Sequence, residues 1–494
     1  MLISGLALGA VLGFVMQRGR FCVTGFLRDI FTQRSWRGFV SLLIVISVHA
    51  IGLAALTSAG VITPEYNELA PLAVIVGGVI FGLGIVLAGG CASGTWYRSG
   101  EGLLGSWIAL VFYALSAAAM KTGFLNGLQD SLKERTVGLT SIHASLGISI
   151  WPLVIALSAV TAYFAVRFLR EEFSGPRPAT LAPRKSGLAH ILTEKAWHVY
   201  ATAAIVGVLG VIAWPLSAAT GRNDGLGITT PSSNLANYVV TGDTERFDWG
   251  VLLVLGILVG SFIAAKASGE FRLRVPDATQ GARSVVGGIF MGVGAAWAGG
   301  CTVGNGMVQT SLFSYQGWLA LASIAAGVAI AAKLWLKPSA SSLNDVPSTP
   351  STTNDTAVSA TAPVTSAATS PVSLPGSEGA GVAGTEASPL AGAFTVAPVA
   401  LLDRSVVKQE DGKLKPLGDG RYELDTVGAV CPFPLIEAKD AINKIEVGEE
   451  LVIPFDCTQA TDAIPRWAAK DGHEVTNFEQ TGEAGWTISV RRGK

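Results

Sequence analysis

The triplet Gly-Gly-Cys occurs twice in this chain, at Gly89-Gly90-Cys91 and at Gly299-Gly300-Cys301. Each copy closes an apolar, glycine-spaced run, and the flanks keep one offset. Gly77, Gly78, Gly82, Gly84, Ala88 and Gly94 correspond to Gly287, Gly288, Gly292, Gly294, Ala298 and Gly304. Chance does not hold such a set in register, so the chain contains a duplicated apolar hairpin. Adjacent glycines permit positive φ and weaken a helix. In an apolar run, the backbone groups freed there must be buried in protein or line a polar cavity. A helix that restarts after such a break presents free N–H groups, which bind anions. Each break also carries a thiol, and thiols suit sulfur.

Hydrophobic residues make up 50% of the 494 positions and charged residues only 14%, against roughly 25% charged in a soluble domain. Nine nearly uncharged stretches are long enough to cross a bilayer: 1–17, 38–60, 70–88, 103–121, 147–168, 197–218, 249–266, 284–300 and 316–336. The first has no basic flank or small-residue cleavage site, and so reads as a membrane helix rather than a signal peptide. A net charge of −1 gives no reason to expect nucleic acid as a partner; membrane lipid is the expected surroundings. Arg18, Arg20, Arg28, Arg34 and Arg37 share one side with Arg167, Arg170, Arg272, Arg274 and Lys333. Basic loops mark the cytoplasmic side. The expectation is a multi-pass protein of a bacterial inner (cytoplasmic) membrane, N-terminus outside and C-terminus in the cytoplasm.

With that count the two Gly-Gly-Cys spans run in opposite directions, the signature of an inverted repeat with a midplane site between broken helices. Gly9-x-x-x-Gly13 and Gly256-x-x-x-Gly260 also look alike, yet the count makes their helices parallel. Either a span is miscounted or these are ordinary close-packing glycines.

Five cysteines, Cys22, Cys91, Cys301, Cys431 and Cys457, match no zinc spacing or disulfide framework. No metal or cofactor is expected. Cys22 lies in Gln17–Arg28, a stretch too basic to span and too apolar for an ordinary loop; a re-entrant loop reconciles the two. Arg20 and Arg28 there attract an anion or act as positive-inside anchors. His49 and Lys121, in or near apolar spans, carry no assigned role.

Residues 338–402 are Ser, Thr, Ala, Pro and Gly with little charge, a flexible tether unable to bury a core. Residues 403–494 form the tail, with a core over 421–494. Its order reads strand (421–428), helix (433–445), strand (449–455), helix (459–470), then strands over 474–480 and 486–492. Cys431-Pro-Phe-Pro434 stands where a strand gives way to a helix. Proline is accepted in a first helical turn, so Pro432 and Pro434 mark the start. A thiol at a helix N-terminus has a lowered pKa and becomes nucleophilic.

These motifs carry two family resemblances. Val427-Gly-Ala-Val-Cys-Pro-Phe-Pro-Leu435, Ile436–Ile442 and Gly448–Ile453 resemble the TusA/SirA-like sulfur-carrier family. The resemblance implies a small α+β (βαβαββ) two-layer sandwich whose Cys431 accepts sulfur as a persulfide. Cys457 stands where that family commonly has proline. Residues 1–337, through Arg18-Gly-Arg-Phe-Cys22, Gly89–Gly94 and Gly299–Gly304, resemble the YeeE/YedE family. That implies a polytopic α-helical membrane protein taking up thiosulfate along a path lined by Cys22, Cys91 and Cys301. Gly89, Gly90, Gly94, Gly299, Gly300, Gly304 and Arg20 are its other expected site residues, and cytosolic sulfur-handling enzymes are the expected partners. The alternatives are another sulfur or selenium species as substrate, or a membrane-bound sulfurtransferase or redox sensor.

Overall fold

The computed structural model describes residues 2–336, 414–429 and 431–493. The expected tether over 338–402 lies outside the described residues. The first half of the membrane part holds α1 (Ile3–Arg18), α2 (Val23–Thr32), α3 (Arg37–Ser58), α4 (Pro71–Leu87), α5 (Ala92–Gly100) and α6 (Leu104–Lys121). The short helices α7 (Asn126–Lys133) and α8 (Ile142–Ser145), the long α9 (Trp151–Ser174) and the short α10 (Gly187–Thr193) follow. The second half holds α11 (Val199–Ala218), α12 (Thr229–Thr241), α13 (Trp249–Ser268), α14 (Ala278–Ala298), a π-helical turn over Gly304–Gln309, and α15 (Tyr315–Trp335).

Among the described residues, eight helical segments are long and apolar enough to cross a membrane, with α1–α2 and α4–α5 each counted as one. The remaining expected span, 284–300, falls on α14. It has 21 residues, a rise of about 31 Å, but Gln280, Arg283 and its many small residues dilute its apolar character.

The halves repeat one another. Long helix, turn, short helix, long helix describes both α1–α2–α3 and α11–α12–α13; broken helix then helix describes both α4–α5–α6 and α14–turn–α15. Glycines hold the repeat together. A Cβ on Gly77 would lie 2.5 Å from the Ala298 nitrogen, and one on Gly84 would lie 2.7 Å from the Met291 nitrogen. The early residues of α4 therefore meet the late residues of α14, and the two broken helices are antiparallel. Gly78 and Gly82 seat α4 on α15, while their counterparts Gly288 and Gly292 seat α14 on α6. The same contact is built twice about a pseudo-twofold axis.

The Gly9 and Gly256 motifs are two sides of a single contact. Gly5 faces Trp249, Gly9 faces Leu253 and Gly13 faces Ile257. α1 and α13 are thus parallel neighbours, and their resemblance is that of packing partners.

The C-terminal domain, called the carrier domain after the family it resembles, contains β1 (Leu414–Gly418), β2 (Arg421–Leu424), α16 (Phe433–Ile442), β3 (Glu450–Phe455), α17 (Ala460–Asp471), β4 (Glu474–Gly482) and β5 (Gly485–Arg491). The sheet order is β1-β2-β3-β5-β4, with β2 and β3 parallel and the other pairs antiparallel. Alternation on β3 buries Leu451, Ile453 and Phe455, which pack with Leu435, Ile442, Ile464 and Trp467 of the two helices. β1 departs from the expected βαβαββ order: it precedes the expected core and adds an edge strand before β2. The first expected strand also ends at Leu424, because Asp425–Gly428 turn toward Cys431.

Candidate functional site

At both breaks the first glycine takes left-handed backbone, Gly89 at φ +72° and Gly299 at φ +78°. A side chain there is strained, which accounts for glycine at each. The chain then extends through the cysteine. Cys91 is the N-cap of α5 and Cys22 the N-cap of α2; Cys301 precedes the π-helical turn. All three thiols are free and at most 2% exposed.

The helix ends freed by the breaks are satisfied by side chains that the sequence did not single out. At the first break Arg98 donates from Nη1 to the Gly89 carbonyl and from Nη2 to Cys22 Sγ at 3.7 Å. At the second, Asn305 Nδ2 donates to the Ala298 and Gly300 carbonyls at 2.8 and 3.0 Å, and Gln316 Nε2 donates to Asn305 Oδ1 at 3.0 Å. One break is lined by a cation and the other by amides. An arginine inside an apolar run is a functional signal, so Arg98 was detectable. Asn305 and Gln316 carry no comparable mark.

Cys22 and Cys91, 69 positions apart in sequence, are brought together. A Cβ on Gly94 would lie 3.3 Å from Cys91 Sγ and 3.7 Å from Cys22 Sγ, so both sulfurs border the same small space. Ser93 Oγ is 3.5 Å from Cys91 Sγ. Cys301 sits apart, its sulfur accepting from the Val303 N–H at 3.4 Å. Tyr113 is buried in the same core, its hydroxyl donating to Thr229 Oγ1 at 2.8 Å.

Two openings reach the breaks, one at each. On the side away from the carrier domain, a cavity of about 300 Å³ reaches Gly299, Gly300, Cys301 and Gly304, with Glu65, Asp224, Thr229 and Thr230 on its wall. Arg222 pairs with Asp224 at 2.9 Å and Lys121 donates to Thr230 at 2.6 Å, which offsets the acidic wall. On the opposite side, a narrow cleft is lined jointly by Gly89, Arg283 and Trp335 of the membrane part and by Cys431, Pro432 and Phe433 of the carrier domain.

In the carrier, Pro432 is the N-cap of α16 and Pro434 lies in its first turn, so Cys431 stands one residue before the cap. Cys431 and Cys457 form a disulfide with Cα atoms 6.2 Å apart, within the usual span for such a bond. Asp456 holds the loop by accepting from the Gly428 N–H at 3.0 Å.

Polar contacts seat this domain. Arg466 donates to Glu172 at 2.8 Å, and Glu172 also accepts from Arg37 at 3.2 Å and pairs with His198 at 3.4 Å. The Ala484 N–H donates to the Gly269 carbonyl at 3.1 Å. Arg20 is placed here rather than beside the thiols: it donates to the Thr458 carbonyl and pairs with Glu270 at 3.0 Å. Burial alone would raise the Glu270 carboxyl, but Arg20 and Arg18 outweigh it and hold it below the usual carboxylate range. Arg28 pairs with Asp29 at 2.9 Å.

The model of the sulphur-transport family matches residues 18–330, well over half the chain. This chain belongs to the sulphur-transport family. The sulfurtransferase TusA model matches residues 422–492. The chain is 51% identical over 328 residues to the thiosulfate transporter TsuA of Escherichia coli, covering 66% of this chain and 93% of that protein. It is 32% identical over 337 residues to the thiosulfate transporter TsuA of Spirochaeta thermophila, covering 65% and 94%. Its tail is 59% identical over 70 residues to the putative sulfur carrier protein TsuB of Escherichia coli, covering 14% of this chain and 93% of that protein. A membrane transporter and a TusA-like carrier, separate chains in Escherichia coli, are here one polypeptide.

Proposed function

We propose that this sulphur-transport family member takes up thiosulfate across the bacterial inner membrane and relays its sulfur to Cys431. The membrane is crossed with the N-terminus outside, so the cavity at Cys301 faces out and the carrier domain lies in the cytoplasm. The anion enters at Gly299–Cys301, passes Tyr113 to the Cys22–Cys91 pair, and leaves along Gly89. Neutral thiols are weak S–H donors and do not repel an anion; thiolates would.

The observation that supports this reading most strongly is the shared cleft. The Gly89 carbonyl accepts from Arg98, Arg98 donates to the Cys22 sulfur, and the same Gly89 lines the cleft of Cys431. The last thiols of the path and the carrier cysteine meet at a single broken helix.

Sulfurtransferase chemistry at Cys431 completes the proposal. A cytosolic thiol reductant first opens the Cys431–Cys457 bond. The Cys431 thiolate then attacks the outer sulfur of thiosulfate, the S–S bond of thiosulfate breaks, and sulfite leaves with the electron pair. Cys431 keeps a persulfide for a cytosolic sulfur-handling enzyme. The test is uptake of labelled thiosulfate into proteoliposomes holding the full chain. Cys91→Ala and Cys301→Ala should abolish uptake while the protein still inserts, whereas Cys431→Ser should block persulfide formation. Normal uptake by both membrane variants would overturn the thiol path.

A further inference from the structure

The three segments that carry thiols share one spelling: Cys22-Val-Thr-Gly25, Cys91-Ala-Ser-Gly94 and Cys301-Thr-Val-Gly304. Each sets a hydroxyl one or two residues after the cysteine and a glycine three after it. These glycines differ from those that join helices. A Cβ on Gly25 would meet nothing nearer than 3.8 Å, one on Gly94 nothing nearer than 3.3 Å, and one on Gly304 nothing within 4 Å. They leave room beside the thiols instead of closing a helix contact.

The hydroxyls complete the pattern. Ser93 Oγ is 3.5 Å from Cys91 Sγ, and Thr24 holds on α2 the position that Ser93 holds on α5, two residues after the N-cap cysteine. Thr24 and Thr302 are 2% and 0% exposed, and neither hydroxyl has a hydrogen-bond partner. Elsewhere in the membrane part, hydroxyls such as Ser41, Ser99 and Thr310 donate to the carbonyl four residues back. Thr24 and Thr302 stand at the start of their segments, with a break in the helix just behind them, and neither makes that bond. A buried hydroxyl without a partner is a desolvated donor, and in native proteins such a group calls for an explanation.

We propose that Thr24 and Thr302 are specificity residues that donate to the oxygen end of the transported anion, while the neighbouring thiols meet its sulfur end. This rests on the transport reading above. An anion with a sulfur terminus and a sulfonate-like terminus satisfies both donors at each station. Hydrosulfide leaves the hydroxyl unmet, and sulfate leaves the thiol facing oxygen.

The test compares the wild-type full chain with Thr24→Val, Thr302→Val and the matching Thr→Ser variants in proteoliposomes fed labelled thiosulfate. Each valine variant should raise KM about tenfold, the worth of one hydrogen bond to a charged group, with the maximal rate within about twofold, and serine should restore it. The melting temperature without substrate should stay level or rise in the valine variants, because an unpaired polar atom has been removed. Wild-type KM in both valine variants would overturn the inference, as would lost uptake tracking a lowered melting temperature. No uptake by the wild type above empty liposomes would refute the transport reading, and the inference with it.

Discussion

Arg98 Nη2 lies 3.7 Å from Cys22 Sγ, and both side chains are withdrawn from solvent. The same guanidinium caps the Gly89 carbonyl. One cation therefore ties the turn after α1 to the break after α4, and places positive charge beside the Gly89 end of the cleft that Cys431 lines.

Arg98→Gln removes the charge and one of the two bonds. A hydrogen bond to a charged group contributes about 1.5–3 kcal/mol, so uptake of labelled thiosulfate should fall roughly 10- to 100-fold. Arg98→Lys keeps the charge without the planar fork and should fall between. Wild-type rates in Arg98→Gln would show that the cation is not needed on the path.

Two glycine-to-alanine changes should separate packing from passage. A Cβ on Gly84 falls 2.7 Å from backbone of α14, and overpacking of that kind costs about 1–3 kcal/mol; melting in detergent should drop by several degrees. A Cβ on Gly94 meets only the Cys91 and Cys22 sulfurs. Gly94→Ala should melt near the wild type yet transport at least about tenfold more slowly. A large loss of stability in Gly94→Ala would count against a passage there.

Glu172 collects Arg466, Arg37 and His198 at the carrier interface. These groups are partly exposed, so each pair contributes at most about 1 kcal/mol and salt screens it. Arg466→Ala should loosen the seat without unfolding the carrier. Hydrogen exchange at the Ala484 amide, which donates to Gly269 across the interface, should quicken, and still more at high salt. Unchanged protection would show that other contacts dominate.

Glu101 joins α5 to α6 and is 2% exposed. Burial pushes its carboxyl up to about 7, against the pull of Arg274. Its folded pKa exceeds the unfolded value of about 4.3. Between those values the folded state holds the extra proton, so this group's contribution to stability declines as pH rises from about 4.3 to 7 and is flat above. Glu101→Gln should remove that component, and melting curves of both proteins across this range would reveal it. Parallel curves would contradict the shift.

Much of the architecture was legible because membrane helices obey a simple rule: every backbone group is satisfied within the segment, so apolar length alone marks it. α3, α4, α6 and α15 lie within a few residues of their expected limits. α12 was not seen, since Thr229–Thr241 is short and polar and is held by Trp96 through Ser232 and by Tyr113 through Thr229. The antiparallel setting of α4 and α14 was foreseeable from span parity, and the Gly9 and Gly256 motifs were ambiguous until their contact was known. Strand β1 was missed because Leu414–Gly418 offers a single buried side chain and pairs only as an edge.

Local chemistry was written in the chain: where a helix must break, which breaks carry sulfur, and that a Cys-Pro-Phe-Pro turn opens α16. These follow from backbone permissiveness and side-chain type, which act over a few residues. Only the tertiary structure set Cys22 beside Cys91, gave Arg98 two acceptors, paired Cys431 with Cys457, and drew Arg20 away to Glu270 and Thr458. Those are meetings between distant segments, decided by how glycine seams let helices close on one another, and no local pattern encodes the partner.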